Sequence, residues 1–348
     1  MGRRMILARR RSSQGSIAAA QAVIMCRADI GGYIGLSLEH WETYYRGGAL
    51  ATCPTNADGG YDLELRDAWV DFFSNLPEDA RILDVGTGNG VVALIALETS
   101  AELGRRYEIH GTDLARIDPL HHLPEGEKRL AGVKFHPGAA TEKLPFEPGT
   151  FDVVSGHYAL EYTHIDESLA EIHRVLKPSG RARFILHHKN SVLVQNAHQS
   201  LRHADWVLKE TKIYRLLRRH IEAERKSQFA ARNTWHELNL AAEFLQEGLR
   251  EPGAQLIVGV TLDAVQKLLS VRTKLPPAVL AREIDRVEGE LRAAVRRLHD
   301  LVDRAQRESD MAEIESTAMS AGFSVLERVE QLHAGQNLVG WRLTLGRG

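Results

Sequence analysis

Between residues 81 and 188 the chain alternates short apolar runs with helix-like stretches, and this rhythm limits the fold more than any other feature. The runs are "RILDV" (81–85), "YEIHGTD" (107–113), "VKFHPG" (133–138), "TFDVVSG" (150–156) and "RARFILHH" (181–188). "GVVALIALETSAELG" follows the first run, and "DESLAEIHRVL" precedes a Lys177-Pro178-Ser179-Gly180 turn and the fifth. Strands separated by helices at this spacing predict a parallel, doubly wound sheet, because parallel neighbours need a long crossover. Two helices are expected ahead of it, over 36–46 and 64–76, the second with Trp69, Phe72 and Phe73 as its apolar stripe.

After His188 the pattern changes. Residues 190–310 read as almost wholly helical, broken at Pro252-Gly253 and Pro276-Pro277, and strand character returns at "GFSVLERVEQL" and "VGWRLTLG". Closing strands beyond a long helical interval imply an insertion. The expectation is an α/β, seven-stranded sheet domain over 31–189 and 308–348, with a large all-α insertion over 190–307, between strands 5 and 6. Ile284, Val287, Leu291, Ala294, Leu298, Leu301 and Ala305 fall on heptad seam positions. They read either as a homodimer seam or as one side of an intramolecular bundle. Residues 1–30 form a basic extension, with six arginines and no acid before Asp29. It reads as a mobile tail, a transit peptide or an upstream start.

Composition excludes several classes. With a net charge of -2, a charged fraction of 26% and a hydrophobic fraction of 43%, no global field favours nucleic acid or a membrane surface. Cys26 and Cys53 are too few for a disulfide framework, which suits a reducing, cytoplasmic setting. No apolar run approaches the roughly 20 residues that span a bilayer. The histidines are scattered, and neither His121-His122 nor His187-His188 has metal-ligand spacing, so no metal is expected.

"RILDVGTGNG" carries Gly86, Gly88 and Gly90 directly after a strand. A dinucleotide fingerprint would place its third glycine at position 91, which is Val91. Asp84 sits badly beside a pyrophosphate and suits a ligand bearing a positive amino group. Asp113, ending the second strand, is placed for ribose hydroxyls, a feature both ligand classes share.

At this point the chain resembles the class I S-adenosylmethionine-dependent methyltransferases. "ILDVGTGNG" looks like their first motif and "GTD" their second. "GAATEKLPFEPGTFDVVSGHYALEY" is similar to their loop and fourth strand, and "LAEIHRVLKPSGRARFIL" and "SAGFSVLERVEQL" to later elements. The resemblance covers roughly residues 60–188 and 310–346 and implies a Rossmann-like sheet that binds S-adenosyl-L-methionine and releases S-adenosyl-L-homocysteine. It implies that Gly86, Thr87, Gly88 and Gly90 run beneath the methionine moiety, with Asp84 orienting the motif and the amino group. Asp113 would bind the ribose hydroxyls and Leu114 the adenine face. The family's adenine-binding acid falls at Ala140, so that contact is absent or moved to Glu142, while Thr141 keeps a backbone N–H. Ser155, Gly156 and His157 would face the methyl group.

A protonated acceptor needs a base, and histidine is the usual one near neutrality. His157, His187 and His188 are the candidates, at strand ends where such sheets bind ligands; Tyr158, Glu161 and Tyr162 are alternatives. The expected activity is methyl transfer by in-line displacement to an O, N or S atom, ahead of C, of a small or medium organic acceptor, with the helical insertion selecting it. Two rivals stand beside it: an RNA or DNA methyltransferase using the basic "KETKIYRLLRRHIEAERK" stretch, and a non-catalytic cofactor-binding protein. The sequence after strand 4 lacks the N/D-P-P-aromatic signature of base-amine methylation, which disfavours nucleic acid.

Overall fold

A computed structural model describes residues 38–348 except Pro54, so the basic extension lies outside the described residues. The strands are β1 (Arg81–Val85), β2 (Glu108–Asp113), β3 (Val133–Pro137), β4 (Phe151–His157), β5 (Leu176–His187), β6 (Phe323–His333) and β7 (Asn337–Arg347). They form one seven-stranded sheet in the order β3-β2-β1-β4-β5-β7-β6. Strands β1 to β5 pair in parallel, and β7 runs antiparallel between β5 and β6. This is the α/β architecture read from the sequence.

The central strands are buried along nearly their whole length because both faces of the sheet are covered. Alternation sends Ile82 and Ile109 into one core, with Trp69 and Phe73 of α2 (Leu63–Ser74) and the apolar residues of α3 (Val91–Glu102). Leu83, Val85, Val154 and Phe184 enter the opposite core, with Leu169 and Ile172 of α4 (Ile165–Val175). Ahead of α2, the short helix α1 (Glu39–Arg46) is anchored by Arg297, which donates to the His40 carbonyl at 2.8 Å, and by His40 Nε2 at 2.7 Å from Asp300.

One boundary differs from expectation. Lys177–Gly180 reads as a turn before the fifth strand, yet β5 already pairs at Leu176. Pairing resumes at Arg181, with Ser179 at φ 62°. The turn residues form an excursion inside the strand.

By compactness the chain divides into two units, the sheet with its helices (to residue 197 and from 296) and residues 198–295. The second unit is helical. It holds most of α5 (Val192–Asp205), then α6 (Ile213–Lys226), α7 (Gln228–Gly248), α8 (Val258–Val271) and the larger part of α9 (Pro277–Arg304). Leu217, Leu238, Leu245, Val265 and Leu280 centre its core. Ile284, Val287 and Leu291 pack into that core, so this half of the heptad stripe is spent within the unit. Ala254–Val271 has a mean hydropathy of 1.3 and is long and apolar enough to cross a membrane by length and composition. That corrects the reading that no run approaches such a length. Val258, Leu262, Val265, Leu268 and Leu269 of this stretch are buried in the helical core. After it, α10 (Glu308–Ser320) returns the chain to the sheet unit.

Candidate active site

The chain leaves β1 toward β2 and β3, then crosses back to place β4 on the other side of β1. Ligand crevices open at the carboxyl ends of strands where the order reverses in this way. The glycine turn follows β1 and the 155–157 segment ends β4, so one crevice receives both.

Gly86, Gly88 and Gly90 have φ values of 61°, 53° and 86°, a region that side chains rarely adopt. Space forbids side chains as well. A Cβ on Gly86 would collide with the Ala159 methyl, one on Gly88 would lie 2.6 Å from the Tyr45 ring, and one on Gly90 2.9 Å from Phe135. Asn89, fully buried, donates to the carbonyls of Tyr45 at 2.9 Å and Ala49 at 2.7 Å, tying the segment after α1 to the turn.

Two buried acids flank this cradle. Asp84 accepts the Ser155 hydroxyl at 2.8 Å, across the β1–β4 pair. Asp113 accepts the N–H groups of Gly88 and Ala115, each at 2.8 Å. Burial pushes Asp84 up to about 7, helped by the nearby charge of Asp113. Asp113 itself is raised to about 6 by burial, against its backbone donors. The donors that offset this are the Thr87 and Ser155 hydroxyls and a backbone N–H for Asp84, and backbone N–H groups for Asp113.

The remaining cofactor candidates divide. Leu114 is half exposed beside Asp113, Thr141 is buried, and Gly156 packs against Phe184 and Val85. Glu142, the candidate replacement for an acid at Ala140, is committed elsewhere: its carboxylate accepts the His164 N–H at 2.8 Å, ahead of α4. Ala140 lines a groove of about 580 Å³ with Phe135–Ala139, Lys143 and Pro145, which includes neither the glycines nor Asp113.

Of the three histidines, the structure brings two together. His157 Nδ1 accepts the Trp69 indole N–H at 3.1 Å, and the Tyr61 ring stacks on it at 4.3 Å. Burial, then proximity to His187, holds His157 well below the usual histidine range. His187 Nδ1 lies 2.8 Å from Glu161 Oε1, and its ring stacks on Tyr158 at 3.9 Å. His188 turns elsewhere: it accepts the Asn190 N–H at 2.9 Å, its ring lies against Trp341 at 4.5 Å, and its Nε2 is 3.5 Å from Glu330. Burial lowers its pKa. Tyr45 and Asn89 escaped the sequence reading as site residues, and Trp69 entered it only as packing. Asn89 stood inside the glycine motif, whereas the other two contacts arise from long-range packing. Among the described residues no cluster of three or more His, Cys, Asp or Glu could hold a metal ion.

Residues 82–180 match a family model described as a methyltransferase domain. Over 109 residues the chain is 34% identical to the ubiquinone/menaquinone biosynthesis C-methyltransferase UbiE of Desulfotalea psychrophila, covering 30% of this chain and 40% of that protein. It is 32% identical over 108 residues to the demethylmenaquinone methyltransferase of Chlorobaculum parvum, covering 31% and 41%. The chain therefore spans less than half the length of these curated relatives. Among solved structures, the 1,6-didemethyltoxoflavin-N1-methyltransferase of Burkholderia thailandensis aligns over 82% of this chain and 78% of its own, at 13% identity and a TM-score of 0.40. Strand order, switch-point crevice and the segment matched over residues 82–180 support a class I S-adenosylmethionine-dependent methyltransferase domain in the sheet unit.

Proposed function

We propose that the chain transfers a methyl group from S-adenosyl-L-methionine to an O, N, S or C atom of a small or medium organic acceptor. The observation that carries this is the glycine cradle flanked by Asp84 and Asp113, two carboxyls that burial raises above their usual range. A ligand with a positive amino group and paired ribose hydroxyls answers both. Its amino group would lower the cost of ionising Asp84, and its hydroxyls would donate to the free lone pairs of Asp113. The residues present therefore fit this cofactor.

When bound, the cofactor supplies a methyl group already activated on a positively charged sulfur. The chain's residues then position and enclose. Gly86, Thr87, Gly88 and Gly90 let backbone pass close to the ligand, Leu114 covers the base, and the Thr141 N–H is available to a ring nitrogen. Ser155 and Gly156 border the methyl side. Alignment of this kind can be worth about 7–11 kcal/mol. By their names, one relative is a ubiquinone/menaquinone biosynthesis C-methyltransferase and the other a demethylmenaquinone methyltransferase. Carbon therefore stands level with the heteroatoms as acceptor. We assign acceptor selection to the helical insertion on the sequence pattern.

Calorimetry with S-adenosylhomocysteine and with NADH tests the reading. S-adenosylhomocysteine is expected to bind and NADH not; binding of NADH alone would overturn it.

A further inference from the structure

Two buried imidazoles at the carboxyl ends of β4 and β5 hold their protons on opposite nitrogens. The Trp69 indole N–H can only donate, so His157 Nδ1 accepts it and the neutral ring keeps its proton on Nε2. Glu161 Oε1 already accepts the His187 backbone N–H at 2.8 Å, and the same oxygen lies 2.8 Å from Nδ1 of that ring. With Glu161 as a carboxylate, that oxygen accepts both N–H groups, which places the His187 proton on Nδ1 and leaves the Nε2 lone pair bare. Among the described residues neither Nε2 has a hydrogen-bond partner, although both are buried. One ring therefore presents a held donor and the other a held acceptor.

The walls around them are flat. Tyr158 stacks on His187 at 3.9 Å and edges against His157 at 4.3 Å, Tyr61 stacks on His157 at 4.3 Å, and Tyr162 approaches His187 edge-on at 6.0 Å. Tyr158 sits at φ 52°, a conformation costly for a bulky residue. It is pinned there by its N–H to the Ile185 carbonyl at 2.7 Å and its hydroxyl to the Val339 carbonyl at 2.9 Å. The strain holds one aromatic plate between the two histidines.

From this geometry we propose that His187 is the general base for a hydroxyaromatic or enolic acceptor. Glu161 is its positioning residue, and His157 Nε2–H donates to oxygen on the acceptor. The proposal rests on the methyltransferase reading. The acceptor O–H bond breaks as its proton passes to His187 Nε2, and the imidazolium faces the Glu161 carboxylate. The electron pair released on the acceptor, delivered from oxygen or from the conjugated carbon, forms the new bond to the methyl carbon. The pair of the breaking carbon–sulfur bond goes to sulfur and cancels its positive charge. On either route the acceptor loses one proton overall, which leaves through His187 to water, and gains one methyl.

The groups facing His187 leave this assignment room to work. From the β4 end come His157 and Tyr158 and from the following turn Glu161 and Tyr162, while Cys53 and Tyr61, from the segment before α2, act in turn on Tyr158. Burial holds His157 neutral, raises the three phenols well above their usual range, and pushes the Cys53 thiol up to about 12. Glu161 is the one carboxylic acid among these groups.

The test uses 4-nitrophenol, whose phenolate absorbs in the visible, added to the full chain saturated with S-adenosylhomocysteine. The wild type is expected to bind the probe and show the phenolate band at a pH where the free probe is mostly phenol. His187→Gln is expected to cut the bound phenolate by about tenfold or more. Glu161→Gln is expected to move its pH midpoint upward, with S-adenosylhomocysteine affinity unchanged in both. An equal phenolate band in His187→Gln would overturn the base, and failure of the probe to bind wild type would overturn the acceptor class. Should a variant not fold, ¹⁵N spectra of the wild-type imidazoles decide: a protonated His187 Nε2 or a bare His157 Nε2 at neutral pH refutes the assignment. Failure of S-adenosylhomocysteine itself to bind would instead strike the methyltransferase reading.

Discussion

Asp84→Asn is expected to make the ligand-free protein more stable at alkaline pH while weakening it as a cofactor binder. The folded state holds the Asp84 proton up to about 7, whereas an unfolded aspartate releases it near 3.8. The folded form therefore binds more protons between these values, and stability falls as pH rises through that window. The fall is complete above the folded value and absent below about pH 3.8. Each unit is worth about 1.4 kcal/mol, so holding Asp84 ionised costs about 4 kcal/mol at most. Asparagine removes that cost. Its Oδ1 can still accept the Ser155 hydroxyl, but its amide N–H groups need new partners, a penalty of about 1–3 kcal/mol. The net expectation at about pH 8 is a gain of roughly 1–3 kcal/mol over wild type.

The assay is urea unfolding of both proteins at about pH 5 and about pH 8, each without and with S-adenosylhomocysteine. The difference between variant and wild type isolates Asp84 from other groups that titrate in the same range. Without ligand, the variant's advantage should grow from the acidic to the alkaline condition. With ligand, wild type should gain more than the variant. If the difference between the two proteins does not change with pH, Asp84 is not the strained carboxyl its burial implies, and the fit of this site to an amino group loses its support.

Asp113→Ala should weaken S-adenosylhomocysteine binding by roughly 1.5–3 kcal/mol in calorimetry, the worth of hydrogen bonds to a charged group; unchanged affinity would mean that Asp113 does not hold the ribose. Gly88→Ala places a methyl against the Tyr45 ring at a left-handed position and should cost about 1–3 kcal/mol in urea unfolding. Pairing it with Tyr45→Ala should recover only the steric part. Trp69→Phe keeps a ring in the core but strips His157 Nδ1 of its donor, which should cost about 1–3 kcal/mol. It should also mix the two imidazole tautomers in ¹⁵N spectra; a His157 proton still confined to Nε2 would show that Trp69 does not set it.

Much of the frame was legible because short strands alternate with helix-like stretches, and β1, β2 and β4 fall within a residue or two of their expected bounds. The start of β5 was not legible. Pro178-Ser179-Gly180 carries turn chemistry, and only the neighbouring strand shows that the chain resumes pairing on the far side. The glycine cradle was legible as a motif, but the group lying over it was not. Tyr45 reaches Gly88 because Asn89 binds one carbonyl in the last turn of α1 and one just after it, and Arg297 holds the start of α1, contacts 40 or more and over 250 residues apart in sequence. The contact that Glu142 makes was not legible for a similar reason: its carboxylate accepts the His164 N–H ahead of α4, 22 residues along the chain.

The histidines show where a local rule could have gone further. Side chains alternate along a strand, so adjacent His187 and His188 were bound to face opposite sides of the sheet. Register then selects between them. His157 pairs with Ile185, and residues directly opposite in a parallel pair share a face, as does every second residue beyond. His187 lies two positions past Ile185, on the side of His157; His188 falls on the other, against Trp341. Reading the fourth and fifth strands as aligned neighbours places His157 and His187 on one face and His188 on the other. The proton positions required more. They follow from Trp69, whose indole can only donate, and from Glu161, whose oxygen also accepts a backbone N–H. Both partners come from outside the two strands, so side-chain chemistry is set by packing even where backbone direction is set by sequence.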